Sequence, residues 1–174
     1  MSDNGPGPRV YLDCDGVLAD FESAARSVFG MPSEDYEARF GTGAFWKALA
    51  ALPDFFGGLE LLPDAMQLFD AVKPLDPIIL TGLPGGDWAE PQKRRWAARH
   101  FPSVPMIATS AALKREHCHP GDALVDDWDR YRGLWEEAGG LFIHHRSAAR
   151  SIAELREHGF KVTVAASAAG HSLS

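Results

Sequence analysis

Five short apolar runs, none of them alternating, constrain this chain more than any other feature. They are RVYLDC (Arg9 to Cys14), DPIILT (Asp76 to Thr81), VPMIA (Val104 to Ala108), ALVD (Ala123 to Asp126) and GLFI (Gly140 to Ile143). A strand with one wet face alternates apolar and polar residues. A run that does not alternate is covered on both faces, as in a parallel sheet. Helical patterns lie between the runs. DWAEPQKRRWAARH (Asp87 to His100) places Trp88, Trp96 and Ala97 near one face, with Pro91 admissible only in the first turn. Trp128 to Ala138 and Ser147 to His158 follow, the last capped by Ser147 and stopped by Gly159. This alternation predicts an α/β fold: a three-layer, Rossmann-like, doubly wound parallel sheet with right-handed crossovers.

Residues 21–74 break the rhythm. No strand is legible there, and FESAARSVF, SEDYEARF, FWKALAAL and DAMQLFDAV read as short helices rich in aromatics. The expected organisation is a core from residues 1–20 and 75–164, a small helical cap inserted at 21–74, and a disordered tail at 165–174. Met1 to Pro8, rich in Gly and Pro, is expected to fray.

The 174 residues suffice for one domain plus that insertion. An apolar fraction of 45% lets a core form without staples, and two cysteines, Cys14 and Cys118, are too few for a disulfide framework. Both are expected as free thiols in a reducing compartment. A net charge of −7 argues against a nucleic-acid polymer as partner, because phosphate backbones select basic surfaces. A small anion stays compatible where lysine, backbone N–H groups and a metal dominate locally. No run reaches the roughly 18 apolar residues of a membrane span, and no signal-peptide pattern leads the chain. No membrane partner and a cytoplasmic location are therefore expected. A homodimer is left open.

Four polar tips carry chemistry. In Asp13-Cys14-Asp15-Gly16, two carboxylates at i and i+2 can converge on one metal and one phosphorus, one attacking while the other moves a proton. Gly16 relieves the turn. Thr81-Gly82 offers a hydroxyl and a free N–H as a phosphate cradle, although such pairs are also ordinary turns. Lys114 is the point charge that would neutralise phosphate and carboxylate together, with Arg115 as its rival. Asp126-Asp127 places two like charges at a buried strand end, which is costly unless a cation sits there. Oxygen ligands of this kind suit Mg2+. Asp127 could instead, or also, cap a helix starting near Trp128. In a doubly wound sheet the carboxyl ends of the strands gather at the switch-point crevice.

In that order, DCDGVLAD, ILTG, Lys114 and ALVDD resemble the four motifs of the haloacid dehalogenase-like superfamily. The resemblance implies Asp13 as nucleophile and Asp15 as general acid and base, with the Asp15 carbonyl on Mg2+. It implies Thr81, Gly82 and Lys114 on the phosphate and Asp13, Asp126 and Asp127 around the metal, Asp127 being favoured as the direct ligand. Within the superfamily the chain is most similar to the 5′(3′)-deoxyribonucleotidase family from about Arg9 to His145. The shared features are DGVLADFE, FWKALAALPDFFGGLELLPDA, LTGLP with KRRWAARHF, and LVDDWDR. In that family cap aromatics enclose the nucleobase, which implies substrate contact at Phe45, Trp46, Phe55 and Phe56. Packing inside the cap is the equally open reading of those rings. The stretch IATSAALK departs from the family's TRDK-like segment. Asp20 fits the extended first motif and could equally stabilise a first helical turn.

The expected activity is Mg2+-dependent hydrolysis of a small phosphomonoester, first of all a (deoxy)nucleoside monophosphate, through an aspartyl-phosphate. A sugar phosphate, a polynucleotide 3′-phosphate, or a catalytically inactive binding module on the same fold are the alternatives. Dehalogenases lack the second carboxylate that Asp15 supplies. Phosphonate hydrolysis needs a cap lysine, for which Lys47 is the only candidate before Lys73. The His117-Cys118-His119 triplet has no second ligand cluster, and the seven histidines define no site.

Overall fold

The computed structural model describes residues 7–164. In chain order the elements are β1 (Val10–Leu12), α1 (Phe21–Phe29), α2 (Ser33–Phe40), α3 (Thr42–Ala50), α4 (Ala65–Val72), β2 (Ile78–Gly82), α5 (Ala89–His100), β3 (Met106–Thr109), β4 (Ala123–Asp126), α6 (Arg132–Glu137), β5 (Leu141–His144) and α7 (Ala148–Glu157). Short 3-10 segments lie at Lys73–Leu75, Ala111–His117 and Asp129–Tyr131. Every apolar run is a strand, shifted by at most a residue or two.

All pairings are parallel, and the order is β3-β2-β1-β4-β5. β1 is central, with Tyr11 facing Ile78 on one side and Leu124 on the other. Successive side chains serve opposite faces. Tyr11, Leu80, Leu124 and Phe142 meet Trp135 of α6 on one face, while Leu12, Ile79, Val125 and Ile143 join the larger core on the other. That larger core is covered by α4, α5 and α7 through residues such as Leu68, Trp96 and Leu155. The opposite layer is thin, holding little more than α6 and the 3-10 turn at Ala111–His117. The α/β doubly wound sheet is thus three-layered but lopsided.

Helix ends follow the expected chemistry. Ser147 caps α7 by accepting from Arg150 N, and Asp20 caps α1 by accepting from Ser23 N at 3.1 Å. Pro91 sits in the first turn of α5, where its missing N–H costs nothing. One helix departs from expectation. Trp128 to Ala138 is not a continuous helix: a 3-10 turn at Asp129–Tyr131 precedes the six-residue α6. Asp126 Oδ1 accepts from Trp128 N at 3.0 Å and holds Trp128 extended, so the helix starts late and Asp127 is not its cap.

Residues 21–50 and 65–75 are helical, as their pattern suggests, while 51–64 is turns and extended chain. The two crossings into this insert run side by side: Asp20 N donates to Glu60 O and Leu62 N to Leu18 O, both at 2.8 Å. α1, α2 and α3 are joined by rings, Phe29 stacking on Tyr36 at 4.0 Å and meeting Phe45 at 5.0 Å. α4 lies against α7, with Asp64 Oδ2 accepting from Ala148 N at 2.7 Å and Thr163 N donating to Ala71 O at 2.8 Å. It therefore belongs to the layer that covers the sheet. The tail expected at 165–174, and residues 1–6 of the N-terminal stretch, lie outside the described residues.

Candidate active site

The strand order puts the carboxyl ends of β1 and β4 side by side at the switch point of the sheet. Asp13 leaves β1 with its N–H on Val125 O at 2.9 Å. The chain then turns tightly, Leu18 N and Ala19 N both donating to Cys14 O at 2.8 and 2.9 Å. Gly16 sits at φ +76°, which favours glycine by itself. Packing adds a second requirement, since a Cβ there would fall 2.0 Å from Asp127 Oδ2. Cys14 is buried in the core, where burial and then the Asp15 charge push its thiol well above the ordinary value. Its thiol is therefore held in the un-ionised, unreactive form.

Lys114 ties the two strand ends together. From the 3-10 turn it donates to Asp13 Oδ1 and to Asp126 Oδ2, each at 2.8 Å, and it is only 6% exposed. Burial alone would lower its pKa, but Asp13 and Asp126 together reverse that and hold it above the usual lysine value. Arg115 is exposed. Asp126 has both oxygens engaged, Oδ2 on Lys114 and Oδ1 on Trp128 N. Burial first, and then Asp13, raise its pKa to about 6. Asp127 is exposed, and its pKa rises to about 7 from desolvation, then from Asp13 and Asp126. His144 Nε2 lies 2.9 Å from the Asp127 carbonyl and braces this tip.

One oxygen from each of Asp13, Asp126 and Asp127 lies within 4.8 Å of the others. Two lysines face four carboxylates in the crevice, so positive charge is in deficit. An all-oxygen donor set with one exposed member fits a hard divalent cation such as Mg2+, which keeps several waters. Among the described residues no other group of metal-ligating side chains gathers, the His117–His119 triplet included.

Thr81, at the end of β2, is fully buried, and Gly82 ends the strand beside Ala111. Here the structure adds a residue that motif reasoning passed over. Lys93 of α5 is 1% exposed and donates to Asp15 Oδ2, to Thr81 Oγ1 at 2.9 Å and to Gly82 O at 3.0 Å. Burial would lower its pKa, yet Asp15 keeps it raised. Asp15 is itself raised by desolvation, with Lys93 opposing. The signal was present in the sequence. Ala89, Gln92, Lys93, Trp96 and Ala97 form one buried stripe, and a lysine on such a stripe must have a partner.

The cap rings divide. Phe45, Phe55 and Phe56 are buried and cluster around Phe21 at 5.5 to 6.2 Å, while Trp46 keeps part of its surface open. Phe56 also stacks on Trp88 at 5.3 Å and lies 4.4 Å from Lys93 Nζ.

No protein-family model matches the chain. Its structure is similar to that of L-2-haloacid dehalogenase from Xanthobacter autotrophicus, with a TM-score of 0.50 over 88% of this chain and 83% of that one, at 17% identity. The fold is that of the haloacid dehalogenases. The same dehalogenase with chloropropionic acid covalently bound gives a TM-score of 0.49 at 17% identity, covering 88% of this chain and 83% of that one. In this haloacid dehalogenase-fold chain, Asp13, Asp15, Thr81, Lys114, Asp126 and Asp127 all come to the same edge of the sheet, joined by the hydrogen bonds of Lys93 and Lys114 and by the close carboxylates.

Proposed function

We propose that this chain is a Mg2+-dependent phosphomonoester hydrolase that acts through an aspartyl-phosphate on Asp13. The observation that carries the reading is Lys114 Nζ bridging Asp13 and Asp126 beside the exposed Asp127. A phosphate dianion can approach a carboxylate nucleophile only where that negative charge is offset; Lys114 offsets part of it, and a cation at the close carboxylates would supply the rest.

Asp13 and Asp127, with the Asp15 carbonyl, would hold the cation; Asp126, committed on both oxygens, would act by fixing Lys114. When bound, Mg2+ supplies charge neutralisation for the phosphate oxygens. Thr81 Oγ1, fully buried, accepts from Lys93 and donates to Gly82 O at 3.4 Å, so it would shape the phosphate cradle by holding the end of β2. An oxygen of Asp13 attacks phosphorus in line, and the bond to the leaving oxygen breaks as Asp15 gives that oxygen its proton. Water then bonds to phosphorus and passes a proton to Asp15, and Asp13 leaves as the free carboxylate. A raised Asp15 pKa favours the proton-bearing form that the first step needs. A halide leaves without a proton, so Asp15 would be idle in dehalogenation.

The substrate class is a small phosphomonoester, with (deoxy)nucleoside monophosphates first. The partly open Trp88, stacked on the buried Phe56 that lies against Lys93, offers apolar surface near the crevice. The test is hydrolysis of a phosphomonoester panel, including deoxynucleoside and sugar phosphates, with Mg2+ and with EDTA. Metal-dependent release of phosphate, lost in Asp13→Asn, supports the reading. Normal turnover by Asp13→Asn, with deamidation excluded by mass spectrometry, refutes the nucleophile. No preference for nucleotides removes the nucleotidase assignment alone.

A further inference from the structure

Asp127 stands just past the end of β4, exposed, where a chain leaving a sheet ordinarily loosens. Both peptide units that flank it are nevertheless pinned. The Asp126–Asp127 unit is held by its oxygen, which accepts from His145 N at 2.9 Å. The Asp127–Trp128 unit is held at both ends. Its oxygen accepts from His144 Nε2 at 2.9 Å, and its N–H donates to Asp126 Oδ1 at 3.0 Å. A carbonyl has no proton to give, so Nε2 is the donor in this bond.

A trans peptide is planar and sends its C=O and N–H to opposite sides. Bonds on both sides stop the plane from turning, and with it the backbone of Asp127. The two bonds differ in what they fix. Asp126 belongs to the same strand tip and can move with it, whereas His144 belongs to β5 and ties the tip to the neighbouring strand. The imidazole is half-buried, and Asp129 Oδ2 stands 3.6 Å from its other nitrogen, so the ring is set between two points of the loop it holds.

Direction matters at this tip. The Asp127 carboxylate lies over the bare Cα of Gly16, and one of its oxygens comes within 4.8 Å of oxygens of Asp13 and Asp126. Lys114 bonds Asp13 and Asp126 and so aims them, while Asp127 is aimed through its main chain. We propose that His144 is a positioning residue for the cation site: by pinning the Asp127–Trp128 peptide it fixes the direction of the Asp127 carboxylate and thereby sets how tightly a divalent cation is held. This rests on the reading of Asp127 as a metal ligand. A strand-end histidine that reads as an ordinary edge residue becomes a determinant of metal affinity.

Mg2+ itself is the probe, titrated calorimetrically at one fixed pH into the full chain freed of metal with EDTA and then dialysed. The variants are His144→Leu, which keeps bulk and removes the donor, His144→Gln, whose amide nitrogen can stand where Nε2 does, and Asp127→Asn. Each is shown to be folded by its thermal transition in EDTA, and His144→Ala serves if the leucine variant does not fold. His144→Leu is expected to weaken Mg2+ binding by about 10-fold or more, and His144→Gln by less than about 3-fold, the scale of a partner that orients a metal ligand. Asp127→Asn is expected to lose at least as much as His144→Leu. Wild-type affinity in His144→Leu, or equal losses in the leucine and glutamine variants, overturns the positioning role; if Asp127→Asn still binds weakly, the metal site stands. Wild-type affinity in Asp127→Asn, or no Mg2+ binding by the wild-type chain, overturns the reading of Asp127 and the proposal with it.

Discussion

A Cβ placed on Gly16 would stand 2.0 Å from Asp127 Oδ2. The two residues are remote in sequence, yet the bare Cα of one is the seat of the other's carboxylate. The turn after β1 and the tip of β4 are therefore one unit, and a methyl group must displace Asp127 or open the turn.

Gly16→Ala is expected to weaken Mg2+ binding by at least about 10-fold, the size of effect seen when a metal ligand is misdirected. It should also cost about 1–2 kcal/mol of stability, because alanine resists positive φ. Isothermal titration with Mg2+ reads the first effect and urea unfolding with EDTA the second. Unchanged Mg2+ affinity would remove Asp127 from the proposed metal site.

Lys114→Met leaves Asp13 and Asp126 facing one another in a buried crevice without their shared cation. Stripping one partner from a buried ion pair typically costs about 3–5 kcal/mol. A loss of that order is expected in urea unfolding with EDTA, and Mg2+ should recover part of it by replacing the missing charge. Hydrolysis should fall by several orders of magnitude. A metal-free variant as stable as wild type would show that Lys114 is not what holds the strand ends together.

The metal-free protein should lose stability as pH rises from about 4 to 7. Asp127 is raised to about 7 and Asp126 to about 6, so the folded state binds these protons more tightly than the unfolded chain does. The stabilisation is complete below the unfolded carboxylate value and is lost as each folded pKa is passed. Asp127→Asn should flatten the upper part of this slope, modestly because the group is exposed and screened. Thermal melts across that range in EDTA test it. A slope of opposite sign would mean that burial and the neighbouring carboxylates do not hold these two groups protonated in the folded state.

Trp135 is the large buried apolar side chain of the thin layer, 1% exposed, edge-on to Tyr11 at 5.5 Å and bonded through Nε1 to Leu141 O at 3.1 Å. Trp135→Ala is expected to cost about 3–5 kcal/mol, as removing a buried tryptophan leaves a cavity. Urea unfolding measures it. A cost below about 1 kcal/mol would mean that the short α6 collapses to fill the gap.

Some of this protein was legible from its residues alone. Apolar runs without alternation can only be satisfied on both faces, so five parallel strands followed, and each polar tip that ends a run had to emerge at the same edge. That alone brings Asp13, Thr81 and Asp126 to one edge. The break in the alternation after residue 20 was equally plain, but its far limit was not: α4 packs on α7 and covers the sheet.

Three matters belonged to the tertiary structure. Asp126 and Asp127 are equivalent as letters; only the approach of Lys114 and Trp128 N commits one and leaves the other open. The phenylalanines of the insert look alike in sequence, and packing around Phe21 decides which are sealed inside and leaves Trp46 part of its surface. Lys93 is written like any helical lysine, and it becomes part of the site because α5 turns its buried stripe toward Asp15 and Thr81. Local pattern determines which elements form and which ends carry charge. Which charge meets which is set by contacts between residues far apart in the chain, and those energies exist only once the elements have docked.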